Sequence, residues 1–295
     1  MRIGILSARS AGYHPNRRLL EAGRRQGQDM RLVHPKGCLC DMGIEGAGSM
    51  PSPIGIRLDA LLPRIGGTIN PYARNLLRHF ELSGIPLVND SAAVGLACDK
   101  CRTLQRLSEK GIPIIDTFYV SNAGNLRKAV ARLGGYPVVV KTPKGRQGAG
   151  VILVDSAATA QFAAHHASAA VHGLLVQRFV PPKGRTDLRV FVLGTGAAAA
   201  VKLTPKKGEF RTNFHLKAVG EPAALSDDIS RLAVRSSRAL GLEISGVDII
   251  LDAQGNPGVV EVNYAPGFRG FEALTGMDIA SRIISYVADT YGATS

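Results

Sequence analysis

The sequence predicts an α/β protein in which a small domain with a parallel sheet precedes a larger part built on strand hairpins. At the N-terminus an apolar run, a helical segment closed by glycine and a second apolar run follow one another, which is the order of a βαβ unit. Further along, pairs of apolar runs flank glycine-rich turns, a pattern typical of β-hairpins. The 295 residues are 45% hydrophobic, so we expect a globular protein divided into two or three units.

The chain carries a net charge of +13, which favours anionic partners such as a nucleotide, a carboxylate-rich substrate or a ribonucleoprotein surface. The sequence contains no zinc-finger or RNA-recognition signature and no Trp to stack on bases, so no specific nucleic acid is expected. The apolar run at the N-terminus is too short for a signal peptide, and no segment is long enough to span a membrane. These features predict a cytoplasmic protein without a membrane partner.

The four cysteines form a C-x-C pair, Cys38 and Cys40, and a C-x-x-C pair, Cys98 and Cys101. Together they have the ligand types of a tetrahedral zinc site. Cys98 and Cys101 lie in a predicted helix, however, and nothing in the sequence requires the two pairs to meet. We interpret all four as reduced thiols.

The first unit is predicted to extend over residues 1–95, with strands at residues 2–6, 30–33, 59–64 and 85–89 and helices at 16–25 and 70–83. Residues 36–57 are rich in Gly, Pro and Ser and are interpreted as an exposed connection. The turn after the first strand lacks the G-x-G-x-x-G pattern of dinucleotide-binding domains. Arg64 ends the third strand, where ligands bind in open α/β sheets, although an ordinary surface arginine is an equal alternative.

In the middle of the chain, two β-branched runs at residues 136–141 and 151–154 flank a basic, glycine-rich loop at residues 142–150. The backbone N–H groups of such a loop suit a flap that covers phosphates. No G-K-[ST] sequence opens a helix there, so the loop is not a Walker motif, and a simple turn is the alternative. Outside this hairpin, helices are expected at residues 91–110 (capped by Ser91), 227–240 (capped by Ser226) and 277–291, and strands at 174–180, 186–192 and 197–203.

Near the C-terminus, two apolar runs at residues 247–251 and 259–262 flank a turn and predict a hairpin. Glu261 and Asn263 lie two residues apart, so their side chains emerge from the same face of one strand, and Asp248 can join them from the neighbouring strand. Three oxygen donors on one face suit Mg²⁺, which prefers oxygen ligands. The alternative is that these residues are solvated on the open face of the hairpin.

The order of these motifs resembles that of the ATP-grasp superfamily, and most closely its RimK-type branch, the glutamate ligases that extend the C-terminus of a small-subunit ribosomal protein. The matching segments, which span the whole chain, are Pro63-Arg64-Ile65-Gly66, Asp99-Lys100, Lys141, the flap, residues 177–180, Asp187-Leu188-Arg189, residues 210–213, the hairpin with Asp248, Glu261 and Asn263, and Ala265-Pro266-Gly267. The resemblance implies an α+β ATP-grasp part with the nucleotide between two antiparallel sheets. A lid would cover residues 96–173, and a C-terminal subdomain would cover residues 174–295.

The resemblance also implies a set of site residues. Those expected to bind ATP are Lys100 and Lys141 at the phosphates, Gly148 in the flap, Gln177, Arg178, Phe179 and Val180 at the adenine, Asp187 at the ribose, and Arg189, Arg211 and Asn213. Asp248, Glu261 and Asn263 would hold two Mg²⁺ or Mn²⁺ ions. Catalysis is expected of Lys141, Arg211 and Asn213, and substrate binding of Arg64, Arg211 and Gly267.

The activity that the resemblance implies is ATP-dependent formation of an amide bond through an acyl phosphate. Glutamate is the expected amino acid, and the acceptor is a protein C-terminus (a ribosomal protein among them), a peptide or a small carboxylate; a homo-oligomer is expected. Lysine-biosynthesis ligases and cofactor γ-glutamyl ligases of the same fold are alternatives. A kinase that stops after phosphoryl transfer and a non-catalytic ribosome- or RNA-binding protein are alternatives from other classes.

Three departures from the family pattern concern the nucleotide and acceptor sites. Arg178 stands where the family commonly has Glu, and residues 202–205 read Lys-Leu-Thr-Pro in place of an Arg-containing segment. The Gly-Gly that close relatives carry after His215 is absent. Phosphoryl transfer is therefore better supported than any particular amino acid or acceptor.

Overall fold

The computed structural model describes residues 1–41, 57–66, 69–143, 150–168, 173–212 and 219–292. Its strands are β1 (Arg2–Leu6), β2 (Asp29–Val33), β3 (Ala60–Pro63), β4 (Thr117–Val120), β5 (Val138–Lys141), β6 (Val151–Val154), β7 (Leu174–Arg178), β8 (Thr186–Leu193), β9 (Gly196–Thr204), β10 (Val219–Pro222), β11 (Ile244–Leu251) and β12 (Pro257–Asn263). Its α-helices are α1 (His14–Arg25), α2 (Pro71–Leu82), α3 (Ser91–Ala97), α4 (Lys100–Glu109), α5 (Ala123–Arg132), α6 (Ala157–Ser168), α7 (Asp227–Ala239), α8 (Arg269–Thr275) and α9 (Ile279–Tyr291).

These strands form one parallel and two antiparallel sheets. The N-terminal sheet has the parallel order β2-β1-β3. A four-stranded sheet has the order β4-β7-β5-β6 and a five-stranded sheet the order β10-β9-β8-β11-β12, with antiparallel neighbours in both. The predicted fold class, a small parallel-sheet α/β domain followed by an α+β part with two antiparallel sheets, is confirmed.

The helix predicted over residues 91–110 is wrong, because the chain forms two helices there. Asp99 takes an extended conformation between them, and its carboxylate accepts hydrogen bonds from the N–H groups of Cys101 and Arg102 at the start of α4. An aspartate in this position ends one helix and caps the next. Asp90, rather than Ser91, caps α3. The break makes Lys100 the first residue of α4.

The strand predicted at residues 85–89 is also wrong. Only one residue there, Leu87, makes a bridge, which pairs it with Leu61 of β3. At the end of this segment, the side chain of Asn89 bonds to another part of the chain: it donates to the carbonyls of Ile244 and Tyr264 and accepts from the N–H of Ile244. This buried asparagine attaches the N-terminal domain to β11.

The sequence interpretation omitted β4, β10, α5, α6 and α8. Strands β4 and β10 are short edge strands of the two antiparallel sheets, and their four residues give little alternation to detect. Helix α6 begins in an alanine-rich segment without a clear apolar stripe.

Three hydrophobic cores explain how the antiparallel sheets are held. Helices α5 and α6 cover the four-stranded sheet through residues such as Leu126 and Val140. One face of the five-stranded sheet packs with α8, α9 and the N-terminal sheet, where Phe191 and Phe271 meet edge to face at 5.5 Å between ring centroids. Leu107 of α4 packs with the core on the opposite face of this sheet, together with α7. Helix α4 belongs to the predicted lid but packs on the five-stranded sheet of the C-terminal part. The domain boundaries after residues 95 and 173 therefore stay a prediction.

None of the helices among the described residues is both long and apolar enough to cross a membrane.

Candidate functional site

A cavity of about 730 Å³ lies between the two antiparallel sheets and opens toward the N-terminal sheet. All of the predicted site residues that the structure describes line it: Arg64, Lys100, Lys141, Gln177, Arg178, Phe179, Val180, Asp187, Arg189, Arg211, Asp248, Glu261, Asn263 and Gly267. Gly148, Asn213 and most of the predicted flap lie outside the described residues. These predicted site residues are up to 203 positions apart in the sequence.

The floor of the cavity carries a row of charges across three neighbouring strands. Arg189 of β8 pairs in register with Asp248 of β11, which pairs in register with Glu261 of β12. The Arg189 guanidinium donates two hydrogen bonds of 2.6 Å to the two carboxylate oxygens of Asp248. Because directly opposed residues project from the same face, Asp248 and Glu261 lie side by side.

Glu261 is joined to the start of α4. The Nζ of Lys100 donates to Glu261 Oε1 at 3.1 Å. Burial acts to raise the pKa of Glu261, but the charges of Lys100, Lys141 and Arg189 outweigh it and the pKa is lowered. The carboxylate is therefore held ionised, the state in which it binds cations.

The donor set fits Mg²⁺. Two carboxylates and the Asn263 amide line one cavity, and each carboxylate oxygen retains a lone pair beyond the hydrogen bonds to Arg189 or Lys100. Mg²⁺ commonly takes one or two carboxylates and completes its shell with substrate phosphates and water. Within the described ranges, no three His, Cys, Asp or Glu side chains cluster closely enough to hold an ion unaided.

Lys141 ends β5 inside the cavity and is oriented by β7. Its Nζ donates to Gln177 Oε1 at 2.6 Å, and Gln177 Nε2 donates in turn to Thr117 Oγ1 at 2.9 Å. Loss of hydration inside the cavity lowers the pKa of Lys141 to about 8, while Glu261 acts in the opposite direction. The nearby carboxylates thus do not fully compensate the positive charge of Lys141, and an anionic ligand would stabilise it.

The predicted adenine-binding segment begins where β7 ends. Arg178, which departs from the family pattern, is half-exposed and forms an ion pair of 3.0 Å with Asp116. Phe179 leaves the strand and packs edge to face on Phe210, with 6.0 Å between ring centroids. The pairing of β7 with β5 ends at Arg178, so Phe179 and Val180 lie beyond the sheet, where they line the cavity.

Arg185 is a cavity residue that the sequence interpretation missed. Its Nε donates to Asp187 at 2.8 Å, and its two terminal nitrogens donate to the carbonyls of Val180 and Phe210. The side chains of Arg185 and Asp187 are only 5% and 8% exposed. Burial raises the pKa of Asp187, although Arg185 and Thr212 oppose the shift. The i, i+2 spacing of Arg185 and Asp187, which places both on one face of an extended segment, was an available signal.

Arg211 reaches the cavity as one half of an ion pair. Its guanidinium donates two hydrogen bonds to Glu209, at 2.9 and 2.7 Å, and lies 5.7 Å from the centroid of the Phe210 ring. The hydrogen bond from Arg211 lowers the pKa of Glu209 to about 2. Its neighbour Thr212 donates to Asp187 at 3.1 Å. The predicted role of Arg211 at a phosphate therefore requires the guanidinium to exchange or share its contact with Glu209.

Comparison with known proteins connects this cavity with a family. Residues 97–287 match the RimK-like ATP-grasp domain, and residues 1–94 match the RimK pre-ATP-grasp domain. A protein of Thioalkalivibrio sulfidiphilus named probable alpha-L-glutamate ligase is 38% identical over 290 residues, which cover 97% of this chain and 95% of that protein. A protein of Pseudoalteromonas translucida with the same name is 34% identical over 291 residues, with 98% and 96% covered.

Solved structures show the same architecture. The RimK domain protein ATP-grasp from Sphaerobacter thermophilus has a TM-score of 0.76 at 25% identity and covers 97% of this chain and 99% of its own. The ATP-grasp ligase PsnB, solved with a phosphomimetic variant of its minimal precursor, Mg and ADP, has a TM-score of 0.78, with 98% of both chains covered. Its 20% identity supports the fold alone. The predicted enzyme class, an ATP-dependent ligase, is confirmed by the named relatives, and the chain belongs to the RimK-like ATP-grasp family.

Proposed function

We propose that this protein is a Mg²⁺- and ATP-dependent ligase that joins glutamate, or a related amino acid, to a carboxylate-bearing acceptor. The observation that carries the proposal is the single cavity in which two lysines, two carboxylates, an amide and several arginines converge. The name of the relatives, alpha-L-glutamate ligase, supports glutamate as the amino acid. A protein C-terminus, including that of a ribosomal protein, a peptide and a small carboxylate are the acceptors to be tested. We further propose a cytoplasmic location and a homo-oligomer.

In the first step, a carboxylate oxygen of the acceptor attacks the γ-phosphorus of ATP. The bond to the bridging oxygen breaks, ADP leaves with the electron pair, and the acceptor becomes an acyl phosphate. Lys100 and Lys141 supply positive charge for the phosphate oxygens, which otherwise repel the attacking carboxylate. Asp248, Glu261 and Asn263 would hold the metal ions, whose chemistry is to neutralise charge on the transferring group.

In the second step, the neutral amine of the amino acid attacks the acyl carbon. The carbon–oxygen bond to the phosphate breaks, inorganic phosphate leaves, and the nitrogen loses a proton to give the amide. The planar guanidinium of Arg211 can donate two parallel hydrogen bonds to the acyl phosphate in the way that it now donates to Glu209.

Incubation with ATP, Mg²⁺, each of the twenty amino acids and a panel of acceptors is expected to yield ADP, phosphate and an amide product by mass spectrometry. Release of phosphate should require both glutamate and an acceptor. Release that is independent of every amine, or a phosphorylated acceptor that is stable in the presence of glutamate, would contradict the ligase proposal. The second result would identify a kinase.

The Arg185 contacts predict a variant that separates stability from nucleotide binding. Replacing Arg185 with Met leaves Asp187 buried without its cation, and we expect a loss of about 3–5 kcal/mol in the free energy of unfolding. Adding Asp187→Leu removes the unpaired charge and should restore most of the stability. It should not restore ATP affinity, because the carbonyls of Val180 and Phe210 have lost their anchor and Asp187, which is expected at the ribose, is also gone. Chemical denaturation and calorimetric ATP titration measure the two quantities.

Lys183→Ala is the matched control, since Lys183 is an exposed cation two residues earlier that does not line the cavity. Equal ATP affinity in the double variant and the unmodified protein would show that Arg185 has only a structural role.

A further inference from the structure

The N-terminal sheet ends at the cavity in a place where open α/β sheets bind ligands. In the strand order β2-β1-β3, the central strand is β1: the next strand along the chain, β2, lies on one side of it and β3 lies on the other. The crevice beyond the carboxyl ends of β1 and β3 is therefore a topological switch point, the usual ligand position in such sheets. Arg9 follows the end of β1, and Arg64 directly follows the end of β3. Both line the cavity.

Arg64 brings a cation into this crevice without a carboxylate partner among the described residues. It is half-buried, and one terminal nitrogen donates to the carbonyl of Pro266 at 2.6 Å. Its Nε is buried and has no hydrogen-bond partner within the described part of the chain. Burial lowers the pKa of Arg64 to about 10, which reflects an environment that disfavours the charge. A buried guanidinium with a free donor is stabilised when an anion completes its contacts.

Two further arginines lie along the same end of the cavity. Arg9 is exposed and packs over the ring of Tyr13, 5.9 Å from its centroid, and Arg74 lies in the first turns of α2. Both line the cavity with Arg64. The carboxylates among the described lining residues are Asp187, Asp248 and Glu261, which all belong to strands of the five-stranded sheet. Among the described lining residues, the arginines beside the five-stranded sheet therefore have carboxylates close by, whereas no carboxylate lines the cavity beside the N-terminal sheet.

The arginine end adjoins the phosphate end through the segment that follows β12. Tyr264, which comes directly after Asn263, donates its hydroxyl proton to the carbonyl of Gly66 at 2.7 Å. Arg64 contacts Pro266 two residues later. A molecule held at Arg64 therefore lies beside the residues proposed to hold the metal and the transferring phosphate.

We propose that the crevice formed by Arg9, Tyr13 and Arg64 is a subsite for the side-chain or terminal carboxylate of a dicarboxylic amino acid. This inference rests on the proposed ligase function and adds a location for the acidic substrate. Two sources share the chemistry: the free amino acid that supplies the amine, and the acidic end of an acceptor. The turn after β1 lacks the glycine pattern that accommodates a dinucleotide, so a small carboxylate is the better fit.

The first test measures binding rather than turnover. Glutarate, which has two carboxylates and no amine, is titrated calorimetrically into the protein saturated with Mg²⁺ and a non-hydrolysable ATP analogue. We expect Arg9→Ala and Arg64→Lys to weaken glutarate about ten- to a hundredfold, with the analogue affinity unchanged, since each loses charge-assisted or bidentate hydrogen bonds. Arg17→Ala is the control, because Arg17 is an exposed arginine of α1 paired with Glu21 outside the cavity.

Arg9→Ala keeps the test valid if the Arg64 variant unfolds, because the contact of the exposed Arg9 side chain is with the Tyr13 ring. Unchanged glutarate affinity in folded Arg9→Ala and Arg64→Lys proteins would overturn the subsite. Butyrate binding as tightly as glutarate would overturn its dicarboxylate selectivity.

Steady-state kinetics then distinguish the two sources. A raised KM for free glutamate with an unchanged KM for the acceptor assigns the subsite to the incoming amino acid, and the reverse assigns it to the acceptor. An unmodified protein that binds glutarate at this site but forms no amide would contradict the ligase proposal and leave the subsite standing. If the unmodified protein forms amide but the Arg9→Ala and Arg64→Lys variants bind glutarate normally, the ligase proposal stands and the subsite is contradicted.

Discussion

Replacing Glu261 with Gln is expected to lower kcat by at least about a hundredfold while the fold stays intact. The substitution leaves an amide oxygen that can still accept the hydrogen bond from Lys100. It replaces the second carboxylate oxygen with an NH₂ group, which repels a cation and removes a negative charge from the proposed metal site. A bound metal supplies several kcal/mol of transition-state charge stabilisation, and each 1.4 kcal/mol or so corresponds to a factor of ten in rate.

The measurement is kcat at saturating ATP over a range of Mg²⁺ concentrations, with the thermal midpoint recorded in parallel. The concentration of Mg²⁺ needed for half-maximal rate should rise in the variant, and Tm should stay within about 4 °C, as expected for a change near 1 kcal/mol. Glu109→Gln is the matched control, since Glu109 is an exposed glutamate paired with Arg106 at the far end of α4. Near-normal kcat in Glu261→Gln at saturating Mg²⁺ would remove Glu261 from the metal site.

The β11–β12 hairpin shows how much of the site could be predicted from local sequence. The two-residue period of a strand puts Glu261 and Asn263 on one face, and this holds in the structure because β12 is extended from Pro257 to Asn263. The register that sets Asp248 opposite Glu261 includes an irregularity between Asp248 and Ile249, where Val260 is skipped. No period-based rule predicts which residue a strand skips, so the pairing of the two carboxylates required the structure.

Contacts between residues that are far apart in the sequence were beyond a local interpretation for a different reason. The hydrogen bond of Lys141 with Gln177 joins residues 36 positions apart, and that of Lys100 with Glu261 joins residues 161 apart. The first pair joins the neighbouring strands β5 and β7 of one sheet, and the second joins α4 to β12. Both depend on strand order and on packing, which local propensity does not set. The break between α3 and α4 belongs to the same class, since Asp99 is an acceptable helix residue until its carboxylate caps the following turn.

Replacing Lys141 with Ala is expected to weaken ATP binding about ten- to a hundredfold, with a smaller effect on stability. Charge-assisted hydrogen bonds contribute roughly 1.5–3 kcal/mol, which corresponds to that range of dissociation constants. Loss of the ammonium also leaves Asp248 and Glu261 less compensated, so the carboxylates repel ATP more strongly. Gln177 loses one donor, but the protein no longer has to keep a poorly hydrated cation in the cavity, and these two effects on stability oppose each other.

Calorimetric ATP titration of the Lys141→Ala and Lys128→Ala proteins measures this effect, because Lys128 is an exposed lysine of α5 remote from the cavity. The pH dependence separates charge from size. ATP favours the protonated lysine, so its affinity for the unmodified protein should fall as the pH rises through about 8, where the free ammonium loses its proton. In Lys141→Arg, whose guanidinium stays charged, that fall should disappear. An ATP affinity that is unchanged in Lys141→Ala would show that the phosphates are bound elsewhere in the cavity.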